Sequence, residues 1–261
     1  MDMASRLARI NRRIDSACTA AGRKRDEVTL IAVSKTHPLE AVLEAARLGQ
    51  TRFGESYMQE ALSKQTEFYA TDSLDAAQKS ALEWHYIGHM QSRKARDAAG
   101  RFALIHSLHS PRLAQALHKR MEQLAEGELS ADLVNTLAFS ARADMANFAQ
   151  PVLIQVNIGQ EEQKSGIMEA DLPALIELVL GLPRLRLNGL MCIPPFEGGP
   201  ETARPYFARL RALRDEMEAR FGKGSLPELS MGMSQDFELA IAEGATLVRV
   251  GTDIFGERNY A

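Results

Sequence analysis

The chain has little cysteine, few aromatic residues and no surplus of charge of either sign. Its two cysteines, Cys18 and Cys192, lie far apart, which excludes a disulfide framework and matches no metal-ligand spacing. That usage leads us to expect a reducing, cytoplasmic setting. Aromatic residues make up 6% of the 261 positions, and the single tryptophan, Trp84, reads as core rather than as a ligand-stacking surface. The 31 basic and 34 acidic residues give a net charge of −3, so there is no basic footprint for nucleic acid and no polybasic membrane anchor. No apolar run is long enough to span a bilayer. Met1 to Ala21 is amphipathic and charged, without a signal-peptide core, and reads as a helix with Leu7, Ile10, Ile14 and Ala17 on one face.

What is present is alternation. Strand-like runs cover Val28–Ser34, Thr51–Gly54, Trp84–Gly88, Ala103–Leu108, Val152–Asn157, Leu187–Ile193, Glu228–Met231 and Thr246–Val250. Helical patterns fall between them at Leu39–Leu48, Glu55–Phe68, Met90–Ala99, Pro111–Glu126, Leu172–Leu180, Thr202–Phe221 and Gln235–Glu243. Such alternation predicts an α/β protein with a parallel sheet. About eight units in this length is the size of a single closed (β/α)8 TIM barrel spanning residues 1–261. An open doubly wound sheet is the competing arrangement, but no Gly-rich dinucleotide turn follows the first strand. The polar, Ala-rich stretch at about 127–150 is long for a connection and reads as an insertion.

In such a barrel the C-terminal strand ends build the active site, with phosphate bound after strands seven and eight. Here those ends carry small and hydrogen-bonding residues: Ser34-Lys35-Thr36, Gly54-Glu55-Ser56, His85 to Gln91, Ser107 to Ser110, Gln155-Val156-Asn157, Met191 to Pro194, Ser230 to Ser234 and Arg249 to Thr252. Lys35 closes an apolar strand just before Pro38 starts a helix. A lysine there either snorkels to solvent or, once desolvated, becomes a nucleophile towards aldehydes. Ser230-Met-Gly-Met-Ser234 leads into a helix that Ser234 could cap, with Gly232 allowing close backbone approach and the first-turn amides facing an anion. Gly251-Thr252 is either a tight turn or a second hydroxyl for the same anion. Arg249 lies within Leu247-Val-Arg-Val250 and either forms a structural ion pair or faces a ring nitrogen or anion. A lysine for an aldehyde, a phosphate cradle and an arginine for a pyridine nitrogen together describe pyridoxal 5'-phosphate (PLP).

The segments Ile31-Ala-Val-Ser-Lys35-Thr, Phe53-Gly-Glu-Ser-Tyr57-Met-Gln-Glu60, Trp84-His-Tyr-Ile-Gly88-His-Met-Gln91, Val156-Asn157, Lys164-Ser-Gly166, Gly189-Leu-Met191, Leu229 to Asp236 and Val248 to Arg258 resemble the pyridoxal phosphate homeostasis protein family. The resemblance runs nearly end to end. It implies a barrel like the N-terminal domain of alanine racemase, PLP fold type III. It also implies a covalent aldimine of PLP with Lys35, phosphate contacts from Ser234, Gly251 and Thr252, and Arg249 at the pyridine nitrogen. Asn157 joins the cofactor-binding set, and Met233 packs the core or the cofactor ring. Ser56 stands where the family usually has Asn, so the contact from that position rests on a shorter group. The 127–150 stretch also departs from the family pattern. Four histidines, His85, His89, His106 and His109, come from different loops without carboxylate spacing, and no metal is expected. Arg93-Lys94-Ala-Arg96 reads as a solvated helix face.

Two function classes follow. One is a non-catalytic carrier that binds PLP, buffers it and passes it to PLP-dependent apo-enzymes, as a monomer or weak dimer. The other is an amino-acid racemase or related enzyme. The alanine racemase that the chain resembles carries a second domain supplying a catalytic tyrosine, which this sequence lacks. An arginine keeps its proton, so a pyridine nitrogen facing Arg249 stays unprotonated and is a weaker electron sink. Both points favour the carrier.

Overall fold

The computed structural model describes residues 1–127, 136–138, 141, 143–161, 163–195 and 199–257. Eight parallel strands close into a barrel in chain order, and the last pairs back onto the first. They are β1 (Thr29–Val33), β2 (Arg52–Glu55), β3 (Glu83–Tyr86), β4 (Leu104–Leu108), β5 (Gln150–Val156), β6 (Leu185–Cys192), β7 (Glu228–Ser230) and β8 (Leu247–Val250). The helices among the described residues are α1 (Met3–Ala20), α2 (Leu39–Arg47), α3 (Met58–Ala70), α4 (Ala76–Ala81), α5 (Ala95–Ala98), α6 (Pro111–Glu126), α7 (Leu172–Leu180), α8 (Arg204–Phe221), α9 (Phe237–Ala242) and α10 (Thr252–Phe255). The boundaries of α6 are set by local chemistry: Ser110 Oγ accepts from the Leu113 amide, and Pro111 fills the first helical position.

Strand residues alternate between two cores. Outward residues such as Phe53 and Trp84 pack with Phe68 beneath the helices, and Phe102, Phe207 and Phe237 are buried in the same layer. Inward residues Ile31, Leu104, Leu153, Met191 and Leu247 form a separate apolar plug inside the barrel. Each such side chain contributes about 1.5–3 kcal/mol on burial. Stepping two residues along each strand from that plug reaches the mouth. It leads from Ile31 to Val33, from Leu104 to His106, from Leu153 to Gln155, from Met191 to Ile193 and from Leu247 to Arg249. Parallel strands bring all of these ends to one rim.

Three local departures from the sequence pattern have physical causes. Helix α3 starts at Met58, not at residue 55, because Glu55 pairs with Tyr86 as the last residue of β2. The pattern over 90–99 folds as a 3-10 turn, Ser92–Lys94, followed by α5. Helix α4 was not expected; a capping box in which Asp75 and Gln78 exchange hydrogen bonds starts it. The expected insertion at 127–150 lies partly outside the described residues. Of those described, Leu137, Ala138 and Ala141 pack with Met145 and Phe148, and the Ala138 amide donates to the Gly100 carbonyl at 2.8 Å.

Candidate cofactor site

A cavity of about 610 Å³ opens at the C-terminal mouth of the barrel. Small-molecule sites typically occupy about 300–1,000 Å³. Lys35, Ser56, Met233, Ser234, Arg249, Gly251 and Thr252 all line it. Val33, Ile87 and Ile193 supply apolar wall, and Gln235, Asp236 and Glu257 add polar groups that the sequence pattern did not single out. Asn157 is not in this lining. Its side-chain nitrogen donates to the Glu161 carbonyl at 2.8 Å and its Oδ1 accepts from the Glu161 amide at 3.3 Å, so the side chain shapes the loop after β5.

Two buried networks support the cavity. The first lies beneath Lys35. Lys64 Nζ, from α3, donates to Glu55 Oε1 at 2.6 Å, to Glu60 Oε1 at 3.0 Å and to the Ser34 carbonyl at 2.9 Å. Ser34 Oγ donates to Glu55 Oε1 at 2.7 Å, and the Thr36 amide donates to Glu60 Oε1 at 2.6 Å. The residues on both sides of Lys35 are therefore tied to one ion cluster. Thr36 has φ of 64°, a left-handed conformation that is costly for a β-branched residue. Burial raises the Glu55 carboxyl above its ordinary range, against the pull of Lys64.

The second network crosses the barrel interior to Arg249. The guanidinium points inward, donating from Nη1 to Ser230 Oγ at 2.6 Å and from Nη2 to the Cys192 carbonyl at 2.9 Å. No structural ion pair to Arg249 is present among the described residues. Ser230 Oγ also meets His106 Nδ1 at 2.8 Å, and His106 Nε2 meets His85 Nδ1 at 2.9 Å. Arginine only donates, so Ser230 accepts from it and turns its own proton to His106 Nδ1. His106 Nε2–H then donates to His85 Nδ1, which leaves His85 Nε2–H facing Glu83 Oε2 at 3.7 Å. Burial lowers the pKa of both histidines, that of His106 well below the ordinary value. Both are therefore neutral. Burial also lowers Arg249 from its ordinary value, but a guanidinium keeps its proton at neutral pH.

The loop after β7 differs from expectation in one detail. Ser234 does not cap a helix, because α9 begins only at Phe237. Instead Asp236 Oδ1 accepts from the Met233 amide at 2.6 Å, closing the loop on itself and leaving Ser234 in the cavity wall. Gly232 has φ of 89°, and a Cβ there would sit 2.6 Å from Ala240 Cβ, so no other residue lets this loop lie on α9. On the far side of the mouth, His89 Nδ1 bonds Ser165 Oγ at 2.8 Å, and its ring lies 4.8 Å from that of His109. No group of three or more candidate ligands that could hold a metal occurs among the described residues.

Comparison with known proteins agrees with this geometry. Residues 6–259 match the family described as alanine racemase, N-terminal domain. The chain is 42% identical to the pyridoxal phosphate homeostasis protein of Aquifex aeolicus over 100% of both chains, and 39% identical to that of Escherichia coli over 100% of this chain and 98% of the other. The chain belongs to the pyridoxal phosphate homeostasis protein family. PipY of Synechococcus elongatus has been solved with PLP bound; it is 33% identical, with a TM-score of 0.74 over 98% of this chain and 100% of that one. The alanine racemase of Corynebacterium glutamicum, at 18% identity and a TM-score of 0.58 over 97% of this chain and 62% of that one, shares the fold. The closed barrel is the one the βα alternation predicts. No helix among the described residues is long and apolar enough to cross a membrane. Lys64, His85 and His106 carry the supporting networks; His85 lies in the Trp84–Gln91 segment, but no motif signals its bond to His106 or the buried role of Lys64. Only the spacing of Glu60 and Lys64, four apart on one helix, was a legible pairing signal.

Proposed function

We propose that this chain binds PLP reversibly in the barrel mouth and buffers it or delivers it to PLP-dependent enzymes, without turning over a substrate of its own. The observation that carries this reading is the convergence of Lys35, Arg249 and the Ser234/Gly251/Thr252 loops on one cavity. When bound, PLP supplies an aldehyde that an amine can capture and a ring that can act as an electron sink. Lys35 forms the covalent link through Nζ. Ser234 and Thr252 hydroxyls and the Gly251 backbone hold the phosphate. Arg249 would face the ring nitrogen and, because it keeps its proton, would leave that nitrogen unprotonated and the ring a weak sink. Met233 packs the ring, and Ser56 makes a shorter contact than the usual Asn would. Asn157 acts one step back, by shaping the β5 loop. Relatives named as homeostasis proteins match over nearly their whole length, which supports a carrier rather than a racemase. Two free, buried cysteines suit the reducing cytoplasm in which we place it.

The test is direct. Protein titrated with PLP should gain a visible absorbance band, and borohydride should fix the adduct at Lys35 in a peptide map. Lys35→Ala should lose both. An adduct on another lysine refutes the assignment. Robust racemisation, decarboxylation or transamination of a common amino acid, abolished by Lys35→Ala, overturns the carrier and restores the enzyme.

A further inference from the structure

One arginine outside the barrel joins the two loops assigned to the phosphate. Arg13 lies on α1, ahead of the first strand. Its Nε donates to Glu238 Oε1 on α9 at 2.6 Å, its Nη1 to Asp253 Oδ2 on α10 at 2.7 Å, and its Nη2 to the Ser234 carbonyl at 3.3 Å. The guanidinium also lies 4.5 Å over the Phe237 ring. One planar group thus ties the loop after β7, through Ser234 and α9, to the loop after β8, through Asp253, the neighbour of Thr252. No cofactor motif includes Arg13, and it does not line the cavity.

Two effects follow from removing it. The guanidinium fork fixes three acceptors in one plane, and a lysine, with a single ammonium on a flexible stem, cannot hold all three in that geometry. Without it, the loops keep their own turns but lose their mutual register. Glu238 and Asp253 are also two carboxylates placed beside the loops that must accept a phosphate. Arg13 neutralises both, and among the described residues only Arg9, 4.0 Å from Asp253 Oδ1, remains to offset one of them. A phosphate dianion would meet both changes. The aldehyde end of the same cofactor, at Lys35, would meet neither.

We propose that Arg13 is a positioning residue for phosphate: it holds the Ser234 and Thr252 loops in register and so makes the site prefer the phosphorylated over the unphosphorylated B6 aldehyde. This rests on the PLP-binding reading above. Pyridoxal lacks the phosphate but keeps the aldehyde and ring, so it separates the two halves of the site. The experiment measures the dissociation constants of PLP and pyridoxal by absorbance titration for wild type, Arg13→Ala and Arg13→Lys, with inorganic phosphate as a competitor and a thermal melt as a fold control. Because the Arg13 side chain is one-third exposed, the loss is discounted to about tenfold for PLP in Arg13→Ala. Pyridoxal affinity should stay within about twofold of wild type, which fixes the expected drop in the selectivity ratio at about the same tenfold. Phosphate should compete less well in the variant. Arg13→Lys, which keeps the charge, should lose less, and it carries the test if the alanine variant does not fold. An unchanged PLP constant, or equal losses for PLP and pyridoxal, overturns the proposal while leaving PLP binding intact. Failure of wild type to bind PLP would instead overturn the reading on which it rests.

Discussion

Replacing Lys64 by methionine should unfold the support beneath Lys35 more than it disturbs packing. Methionine keeps the length and apolar stem of lysine but removes the ammonium. Lys64 is 5% exposed and Glu55 is fully buried, so water cannot replace what is lost. Glu55 Oε2 already has no hydrogen-bond partner. After the change, the carboxylate retains only Ser34 Oγ at 2.7 Å. Breaking a buried pair from one side typically costs about 3–5 kcal/mol, roughly a fifth or more of the whole stability of an ordinary domain. Removing both charges together, in Glu55→Gln/Lys64→Met, should cost clearly less than Lys64→Met alone, because no fully buried charge is left unpaired; Glu60 keeps the Thr36 amide and partial exposure.

The pH dependence gives an independent check. Burial raises Glu55 even with Lys64 present, and removing Lys64 raises it further. A group with a raised folded pKa binds its proton more readily in the folded state. Its contribution is therefore fully present below the unfolded value, about 4.3 for a glutamate, and is lost as pH rises through the folded value. The destabilisation in Lys64→Met should thus be largest near neutrality and shrink on acidification. Urea melts of wild type, both single variants and the double variant, at several pH values, would show this. A loss in Lys64→Met below about 1 kcal/mol at neutral pH, or one that grows in acid, would refute the reasoning.

Three further outcomes follow from the same structure. Ser234→Ala and Thr252→Ala should each weaken PLP binding by about 1.5–3 kcal/mol, the worth of a hydrogen bond to a charged group, as measured by titration; a much smaller loss for both would place the phosphate elsewhere. Wild type should lose stability as pH falls below about 6.5, because burial holds the folded pKa values of His85 and His106 below those of the unfolded chain, and His106→Gln should flatten that slope in thermal melts. Thr36→Gly should leave stability unchanged or raise it, since it relieves a left-handed threonine (about 1–3 kcal/mol) against glycine's entropy (about 0.5–1 kcal/mol), while slowing covalent capture at Lys35; a clear fall in melting temperature would count against the strain.

The barrel was legible because βα alternation and period-two burial are written locally. Leu247 and Arg249, two apart on β8, had to share a face, and the only open question was which face. The apolar plug decides it, since Leu247 belongs to the barrel interior. What local pattern could not show is where polar groups from distant strands meet. His85 and His106 are 21 residues apart, and His106 and Ser230 are 124 apart. Nothing in their neighbours marks them as a chain. Glu55 was read as the start of a helix for the same reason. Its type suits a first turn, and only pairing with Tyr86 makes it the buried end of a strand. The expected Ser234 cap is absent because the helix starts only at Phe237, and Asp236 Oδ1 closes the preceding loop on the Met233 amide.

The supports found in the structure differ in kind, and the difference bears on a carrier. Lys35 is fixed from below by charges that are buried and hard to move, with a strained Thr36 beside it. Arg249 is fixed by a relay of neutral groups, so its guanidinium meets no titrating partner in that relay. The loops proposed to take the phosphate are tied from outside by Arg13, whose contacts are partly exposed and screened by salt. The end of the mouth proposed for the aldehyde is thus the more rigidly supported, and the end proposed for the phosphate the more easily loosened. A protein that must capture a cofactor and still release it needs that asymmetry: the amine chemistry is reversible by itself, so the ionic anchor, not the lysine, is the part through which retention is tuned.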